Sequence, residues 1–184
     1  MGRALAALAC LGWLTCAAAQ GGDARQALRE AQLALLPVVL SELPQVPLGS
    51  QSFVYPLRGT LSSGFGWRDV SVNGNRYHAG VDWAAPTGTP VRAARDGVVV
   101  RAGWWSTYGN AVAIDHGDGS ETRYAHLSAV HVRAGDVVRQ GDVVGLVGST
   151  GASTGPHLHF ELRFGATAVD PLGYLEQPRD TATR

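Results

Sequence analysis

Residues 153–162 read STGPHLHFEL, and the run after Pro156 alternates strictly between polar and apolar side chains. His157, His159 and Glu161 fall on one parity, and three large apolar residues fall on the other. Side chains of a β-strand alternate between two faces, so the pattern predicts a strand with an apolar face on a core and both imidazoles opposite. Imidazole is a common metal ligand and titrates near neutral pH, so the pair suits metal binding or proton transfer. Taken alone, a half-exposed strand that carries two histidines explains the motif equally well.

The composition bounds the fold and excludes one class of function. The chain has 184 residues, enough for one domain with a full core, and its 45% hydrophobic and 16% charged residues argue against disorder. Most of the 24 glycines lie between short β-branched runs, which predicts many strands joined by turns. The formal net charge is zero, so there is no basic footprint for nucleic acid. We therefore expect an all-β, largely antiparallel domain, a small β-sandwich.

The first segment of the chain predicts export. Residues 1–19 combine Arg3 near the start, an apolar stretch and a small-residue cleavage site, which is the anatomy of a secretory signal peptide. A membrane anchor needs about 20 apolar residues, and this stretch is shorter. Both cysteines, Cys10 and Cys16, lie in the signal, so we expect a mature chain without thiols and without a stable membrane span. Any zinc site must then consist of His, Asp and Glu.

The remaining chain divides into three segments. Residues 20–52 predict a short helix, which Asp23 can cap, followed by a linker that contains three prolines. This segment serves either as a spacer that packs on the domain or as an inhibitory pro-segment, and the sequence does not decide between them. Residues 53–175 predict the β-domain, in which the polar stretch 69–77 is expected to be a loop. Residues 176–184 are expected to form a tail.

A second cluster of ligand-type side chains consists of His78 and Asp82. A spacing of four fits one side of a helix, but because it is even it also fits a strand, and Gly80, Val81 and Trp83 favour the strand. No His-Glu-x-x-His motif occurs, which excludes the helical metalloprotease site. A carboxylate and two imidazoles, with water in the fourth position, make the catalytic type of zinc site.

A third element surrounds His126. On a strand, Tyr124 and His126 share a face, although a histidine in such a place, taken alone, is more often a satisfied surface or core group. His116 is expected to shape a hairpin turn, and His131 is expected to be solvated. Three aromatic residues in a predicted exposed loop are candidates for the wall of a peptide groove, the alternative being packing over the sheet: Trp104, Trp105 and Tyr108.

Taken together, these motifs resemble those of the lysostaphin-type (M23) zinc metallopeptidases. The similarity covers roughly residues 55–171 and includes the GFGWR run at 64–68. The resemblance implies three zinc ligands, namely His78, Asp82 and His159. It also implies a catalytic pair, namely His126 and His157. No position of this set is lost, which argues against the degenerate members that keep the fold and regulate other wall enzymes.

The resemblance and the export signal imply a secreted zinc endopeptidase that hydrolyses peptide cross-links of bacterial peptidoglycan. Zinc lowers the pKa of a bound water from about 15.7 to about 7, which supplies a nucleophile for the amide. One imidazole then accepts a proton, while the other stabilises the oxyanion or donates to the leaving amine. The sequence does not assign these two roles between His126 and His157.

Two alternative functions remain compatible with the sequence. One is a zinc D,D- or L,D-carboxypeptidase acting on wall stem peptides, and the other is a non-catalytic activator of a wall amidase. Glu161 is interpreted either as an acceptor that fixes the tautomer of an imidazole or as a surface salt bridge. The expected location is the periplasm or the extracellular cell wall, and a regulatory protein partner is left open.

Overall fold

The computed structural model describes residues 52–72 and 74–176, and these residues form short β-strands joined by turns. The strands are, in chain order, β1 (Phe53–Val54), β2 (Thr60–Ser63), β3 (Gly66–Val72), β4 (Asn75–His78), β5 (Val81–Ala84), β6 (Pro90–Arg92), β7 (Gly97–Trp104), β8 (Asn110–Asp115), β9 (Ser120–Leu127), β10 (Ala129–Val130), β11 (Val137–Val138), β12 (Val143–Leu146), β13 (His157–Phe164), β14 (Thr167–Val169) and β15 (Leu175–Glu176). Two single 3-10 turns also occur, η1 (Ser106–Tyr108) and η2 (Pro171–Gly173). The predicted all-β class is confirmed.

Several predictions concern parts of the chain outside the described residues. These are the signal peptide at 1–19, the helix and most of the linker at 20–51, and the tail after residue 176. Within the described part, no helix has the length and apolarity needed to span a bilayer.

The strands form two main sheets. The larger sheet has the order β11-β7-β8-β9-β13-β5-β2, with β14 also paired to β13, and all of its neighbours are antiparallel. The smaller sheet has the order β10-β12-β6 and is antiparallel as well. Parallel pairing occurs between β1 and β15. The predicted, largely antiparallel arrangement is therefore confirmed.

One hydrophobic cluster contains residues of both sheets. Val91 of β6 and Val144 of β12 belong to the same buried cluster as Ile114 of β8 and Phe160 of β13. Burying side chains of this size stabilises the fold by about 1.5–3 kcal/mol each. The core thus holds the two sheets together and fixes the position of β13, whose other face carries the two histidines.

Strand β13 has the alternation that its sequence predicts. It lies in the interior of the larger sheet, with β9 on one side and β5 on the other. Its apolar side chains are buried in the core, namely Leu158, Phe160 and Leu162. His157 and His159 therefore project from the opposite face, on a strand that is hydrogen-bonded along both edges.

The stretch 69–77 is not the loop that its polar composition predicts. It belongs to an antiparallel hairpin in which β3 pairs with β4 and Trp67 lies opposite Tyr77. The rings of Trp67 and Tyr77 are 5.6 Å apart, and Phe65 lies 5.7 Å from the same tyrosine ring. Aromatic cross-strand pairs stabilise a hairpin, and here they lie at the edge of the polar segment. Their packing outweighs the turn-like composition between them.

His116 ties the β8–β9 turn to a neighbouring segment. Its Nδ1 donates to the Asp96 carbonyl at 2.7 Å, so Nε2 accepts from the Thr122 hydroxyl at 2.9 Å. The ring is buried, and this burial lowers the pKa of His116 below its ordinary value, with nearby Arg95 acting in the same direction. The prediction that His116 shapes the turn is confirmed. His131 is exposed, also as predicted.

We expect His116→Gln to reduce the loss of stability at acidic pH. The folded state holds His116 neutral, so between its lowered pKa and the ordinary value of about 6.5 the unfolded chain binds more protons. The stabilisation is present above about pH 6.5 and is lost as the pH falls below it. Urea unfolding of the chelator-treated protein and of the variant, from about pH 7.5 to about pH 5, measures the difference. Identical pH slopes for both proteins would contradict this account.

Candidate metal centre

A cleft of about 770 Å³ opens over the polar face of β13. Its walls bring together all five site residues that the sequence analysis named, which are His78, Asp82, His126, His157 and His159. Further lining residues include Arg68, Tyr108 and Glu161. Three motifs therefore meet in one place, namely His-x-x-x-Asp, Tyr-Ala-His-Leu and His-x-His.

His78 and Asp82 lie on two strands, whereas the even spacing predicted a single one. His78 ends β4, and Asp82 lies in β5 after the bend at Ala79 and Gly80. A Cβ atom at Gly80 would overlap the Phe160 carbonyl of β13, so the bend needs glycine in order to pack this close to the sheet. The bend turns both side chains into the cleft.

The pairing of β5 with β13 places Asp82 beside His159. Asp82 and His159 are directly opposite each other on β5 and β13, so their side chains leave the same face. His159 Nδ1 lies 2.8 Å from Asp82 Oδ1, and His78 Nε2 lies 3.1 Å from the same oxygen. The two ring nitrogens are 3.0 Å apart. Three potential ligand atoms thus form a compact triangle.

The protonation of the two rings makes this triangle suited to a cation. His78 Nδ1 donates to the Gly64 carbonyl at 2.6 Å, and His159 Nε2 donates to Glu161 Oε1 at 3.2 Å. When both rings are neutral in these tautomers, His78 Nε2, His159 Nδ1 and Asp82 Oδ1 face one another with lone pairs, which is the state that metal binding requires. Ligands about 2.0–2.1 Å from a tetrahedral zinc are separated by about 3.3 Å, so the triangle fits zinc. No second such cluster of His, Cys, Asp or Glu is found in the described part of the chain.

The charges of the triangle agree with this interpretation. Burial alone would raise the pKa of Asp82, but hydrogen bonds from His159 and His78 hold it well below its usual range. Burial would lower the pKa of His159, but its hydrogen bonds to Asp82 and Glu161 raise it to about 8. The partly buried Asp82 carboxylate is therefore stabilised by a positive charge beside it, which is a proton on His159 in the metal-free protein and would be the metal ion once that ion displaces the proton.

Asp82 has a further partner that the sequence analysis missed. Arg68 Nη2 donates to Asp82 Oδ2 at 3.2 Å, which leaves Oδ1 directed at the two histidines. Arg68 belongs to the GFGWR run, but no local pattern links that run to a carboxylate 14 residues later.

His126 and His157 form a second pair beside the triangle. Their ring centroids are 4.7 Å apart, and the His126 ring is 5.9 Å from the His159 ring. His126 Nδ1 donates to the Thr150 carbonyl and His157 Nδ1 donates to the Gly155 carbonyl, each at 2.8 Å. Each ring is therefore the Nδ1–H tautomer when neutral, with its lone pair on Nε2.

His126 reaches this position through an irregular backbone. The predicted common face with Tyr124 is wrong, because Tyr124 is buried in the core, where its hydroxyl accepts from Ala94 N at 2.8 Å. His126 has a φ of 61°, in the left-handed region that side chains other than glycine seldom adopt. The pairing of β9 with β8 shifts register between Tyr124 and Leu127, the interval that contains His126. The irregularity turns His126 into the cleft instead of the core.

The environment of His126 keeps its ring neutral. Burial is the main cause that lowers the pKa of His126 to about 4, and the nearby His157 and His159 lower it further. At neutral pH its Nε2 therefore carries a lone pair and can accept a proton.

Two loops, at residues 107–110 and 150–152, are hydrogen-bonded to each other at one wall of the cleft. Ala152 N donates to the Thr107 carbonyl at 2.8 Å, and Asn110 N donates to Thr150 Oγ1 at 3.0 Å. Gly109 and Gly151 both have positive φ, and a Cβ atom on either would overlap the other loop. The contacts between the two loops fix the position of the Thr150 carbonyl, which accepts the Nδ1 proton of His126. Of the three aromatic residues expected to wall a groove, Tyr108 lines the cleft, whereas Trp104 and Trp105 do not.

The comparison with protein-family models gives one clear match. Residues 76–171 match the model of peptidase family M23, which is about half of the chain and contains all five site residues.

The chain is also similar to curated relatives and to solved structures that are named as peptidases. The chain is 53% identical over 113 residues to the DD-carboxypeptidase/endopeptidase Mpg of Neisseria meningitidis serogroup B, a match that covers 61% of this chain and 26% of that protein. The catalytic domain of the antimicrobial peptidase lysostaphin from Staphylococcus simulans superposes with a TM-score of 0.60 at 39% identity, covering 62% of this chain and 90% of that one. A zinc-containing peptidase from Vibrio cholerae gives a TM-score of 0.63 at 36% identity, covering 70% and 41%. The chain spans about a quarter of the length of the curated relative.

Proposed function

Because this chain belongs to peptidase family M23, a metallopeptidase family, we propose that it is a zinc endopeptidase that hydrolyses the peptide cross-links of bacterial peptidoglycan. The observation that carries the proposal is the triangle of potential ligand atoms on His78, Asp82 and His159, with the imidazoles of His126 and His157 beside it. A structural zinc site would close all four positions with protein ligands, whereas three ligands in an open cleft match the catalytic type.

The site residues divide into holding and reacting groups. His78 Nε2, Asp82 Oδ1 and His159 Nδ1 would hold the zinc ion. When bound, zinc supplies a Lewis acid that polarises the scissile carbonyl and brings the pKa of a water near neutrality. The His126 ring is neutral at pH 7, so its Nε2 would accept a proton, and the adjacent His157 would donate one to the leaving amine from Nε2 when its ring is protonated.

The substrate class and the location follow from the family and from the N-terminal segment. With the export signal that residues 1–19 predict, a peptidase of this family would reach the periplasm or the cell wall, where cross-linked stem peptides would be its substrates. The Neisseria relative carries both carboxypeptidase and endopeptidase in its name, so trimming of stem peptides is the second candidate reaction. The activator alternative requires no hydrolysis, and the complete set of five site residues argues against it.

Digestion of purified peptidoglycan with the protein, with and without a chelator, tests the proposal. We expect a chelator-sensitive loss of cross-linked dimers among the fragments seen by mass spectrometry, because removal of zinc removes the Lewis acid. Release of terminal residues alone would show that the enzyme is a carboxypeptidase and not an endopeptidase. Absence of any cleavage, with one equivalent of zinc bound and also after removal of residues 20–52, would refute the peptidase function, because removal of an inhibitory pro-segment would release the activity.

A further inference from the structure

Glu161 is a buried carboxylate directly behind the metal centre. It lies two residues after His159 on β13, and it is only 1% exposed. Burying a carboxylate is costly unless the charge is paired and hydrogen-bonded, so the partners of Glu161 show what holds it there. The interpretation of Glu161 as a surface salt bridge is wrong.

The two oxygens of Glu161 have different partners. Oε2 accepts from Arg163 Nη1 at 2.8 Å and lies 3.6 Å from Arg123 Nη1. Oε1 accepts from the Tyr108 hydroxyl at 2.5 Å and from His159 Nε2 at 3.2 Å. The guanidinium groups thus balance the charge from one side, and the other oxygen is aimed at the imidazole. Two guanidinium groups and a tyrosine hydroxyl around one carboxyl group stabilise its ionised form.

His159 differs in this respect from the other histidines of the cleft. His78, His126 and His157 each give their Nδ1 proton to a backbone carbonyl. His159 instead gives its Nε2 proton to a charged carboxylate, and it would bind zinc through Nδ1. A carboxylate on the outer nitrogen fixes the tautomer and makes the inner nitrogen a more basic ligand.

We propose that Glu161 is a positioning residue that holds His159 in the Nε2–H tautomer with Nδ1 directed at the zinc, and that Tyr108 and Arg163 hold the carboxylate for this task. The inference rests on the zinc site of the proposed function. The competing explanation is that Glu161 serves only as a counter-ion for Arg123 and Arg163. In that case its loss would weaken the fold but leave the tautomer and the zinc affinity unchanged.

Two substitutions separate these explanations. Glu161→Gln removes the charge, and Glu161→Asp keeps the charge near the arginines but withdraws it from His159 by one methylene. We expect each variant to bind zinc about 10–100-fold more weakly than the unmodified protein, measured by competition with a chromophoric chelator. In long-range nitrogen–proton NMR spectra of the metal-free protein, recorded well above pH 8 where the His159 ring is neutral, the Nε2–H tautomer of His159 should lose its dominance in both variants.

Glu121→Gln is the matched control. Glu121 accepts from Arg123 at 2.6 Å and belongs to the same charge network, but it has no contact with a site residue in the described structure. Its zinc affinity and the His159 spectrum should equal those of the unmodified protein.

The outcomes are distinct. If Glu161→Asp keeps the thermal stability but binds zinc as tightly as the unmodified protein, Glu161 is only a counter-ion and the inference is overturned. If both Glu161 variants lose zinc affinity while Glu121→Gln does not, the inference stands. If the unmodified protein itself binds no zinc, the metal centre of the proposed function is wrong, and the role of Glu161 is overturned with it.

Discussion

Replacing His159 by alanine is expected to leave the purified protein without zinc and without peptidase activity. The change removes the central member of the triangle, since His159 Nδ1 lies within 3.0 Å of ligand atoms from both other residues. His78 and Asp82 alone provide two protein ligands, fewer than the three that catalytic zinc sites use. Metal analysis of the dialysed protein should fall from one equivalent to a trace, and peptidoglycan digestion should fall to background.

His131→Ala is the control for this experiment. His131 is exposed and does not line the cleft, so its loss removes one imidazole from the protein without touching the site. We expect full zinc content and full activity. A His159→Ala protein that retains one equivalent of zinc would refute the ligand assignment.

Replacing His126 by asparagine is expected to lower kcat by a factor of about 10²–10⁴ while zinc content stays at one equivalent. Asparagine tolerates the left-handed backbone at this position better than alanine does, and its amide can donate to the Thr150 carbonyl in place of Nδ1. The substitution therefore removes Nε2 and little else. Steady-state kinetics on a soluble cross-linked peptide, with parallel metal analysis, measures the effect.

His157→Asn extends the same test to the second imidazole. Its amide can likewise keep the hydrogen bond to the Gly155 carbonyl. A large loss of kcat in both variants is expected if the rings share the proton transfers. Unchanged kcat in His126→Asn would remove His126 from the catalytic pair.

The parts of the structure that the sequence predicted correctly have local causes. The alternation along β13 follows from a side-chain period of two, so the separation of its histidines from its core residues can be seen in six consecutive residues. The absence of cysteine after residue 16 likewise limits any metal site to His, Asp and Glu. The grouping of the five site residues was predicted through family resemblance, not from spacing.

The parts that the sequence did not predict depend on contacts between distant segments. His126 faces the cleft because β9 shifts its register against β8, and a period-two argument on β9 alone places it beside Tyr124. The hydrogen bond between Tyr108 and Glu161 joins residues 53 positions apart. The hairpin of β3 and β4 forms because rings pack across it, although the composition of its middle is that of a loop.

The contact between Gly109 and Gly151 has a consequence for how this cleft can diversify. Each loop leaves no room for a side chain on the other, and their hydrogen bonds tie residues 107 and 110 to residues 150 and 152. A change in the conformation of one loop therefore has to be matched by the other. Loop grafting, in evolution or in the laboratory, should therefore change the substrate preference only when both loops are replaced together. Grafting a single loop would displace the carbonyl of Thr150 and, with it, the ring of His126.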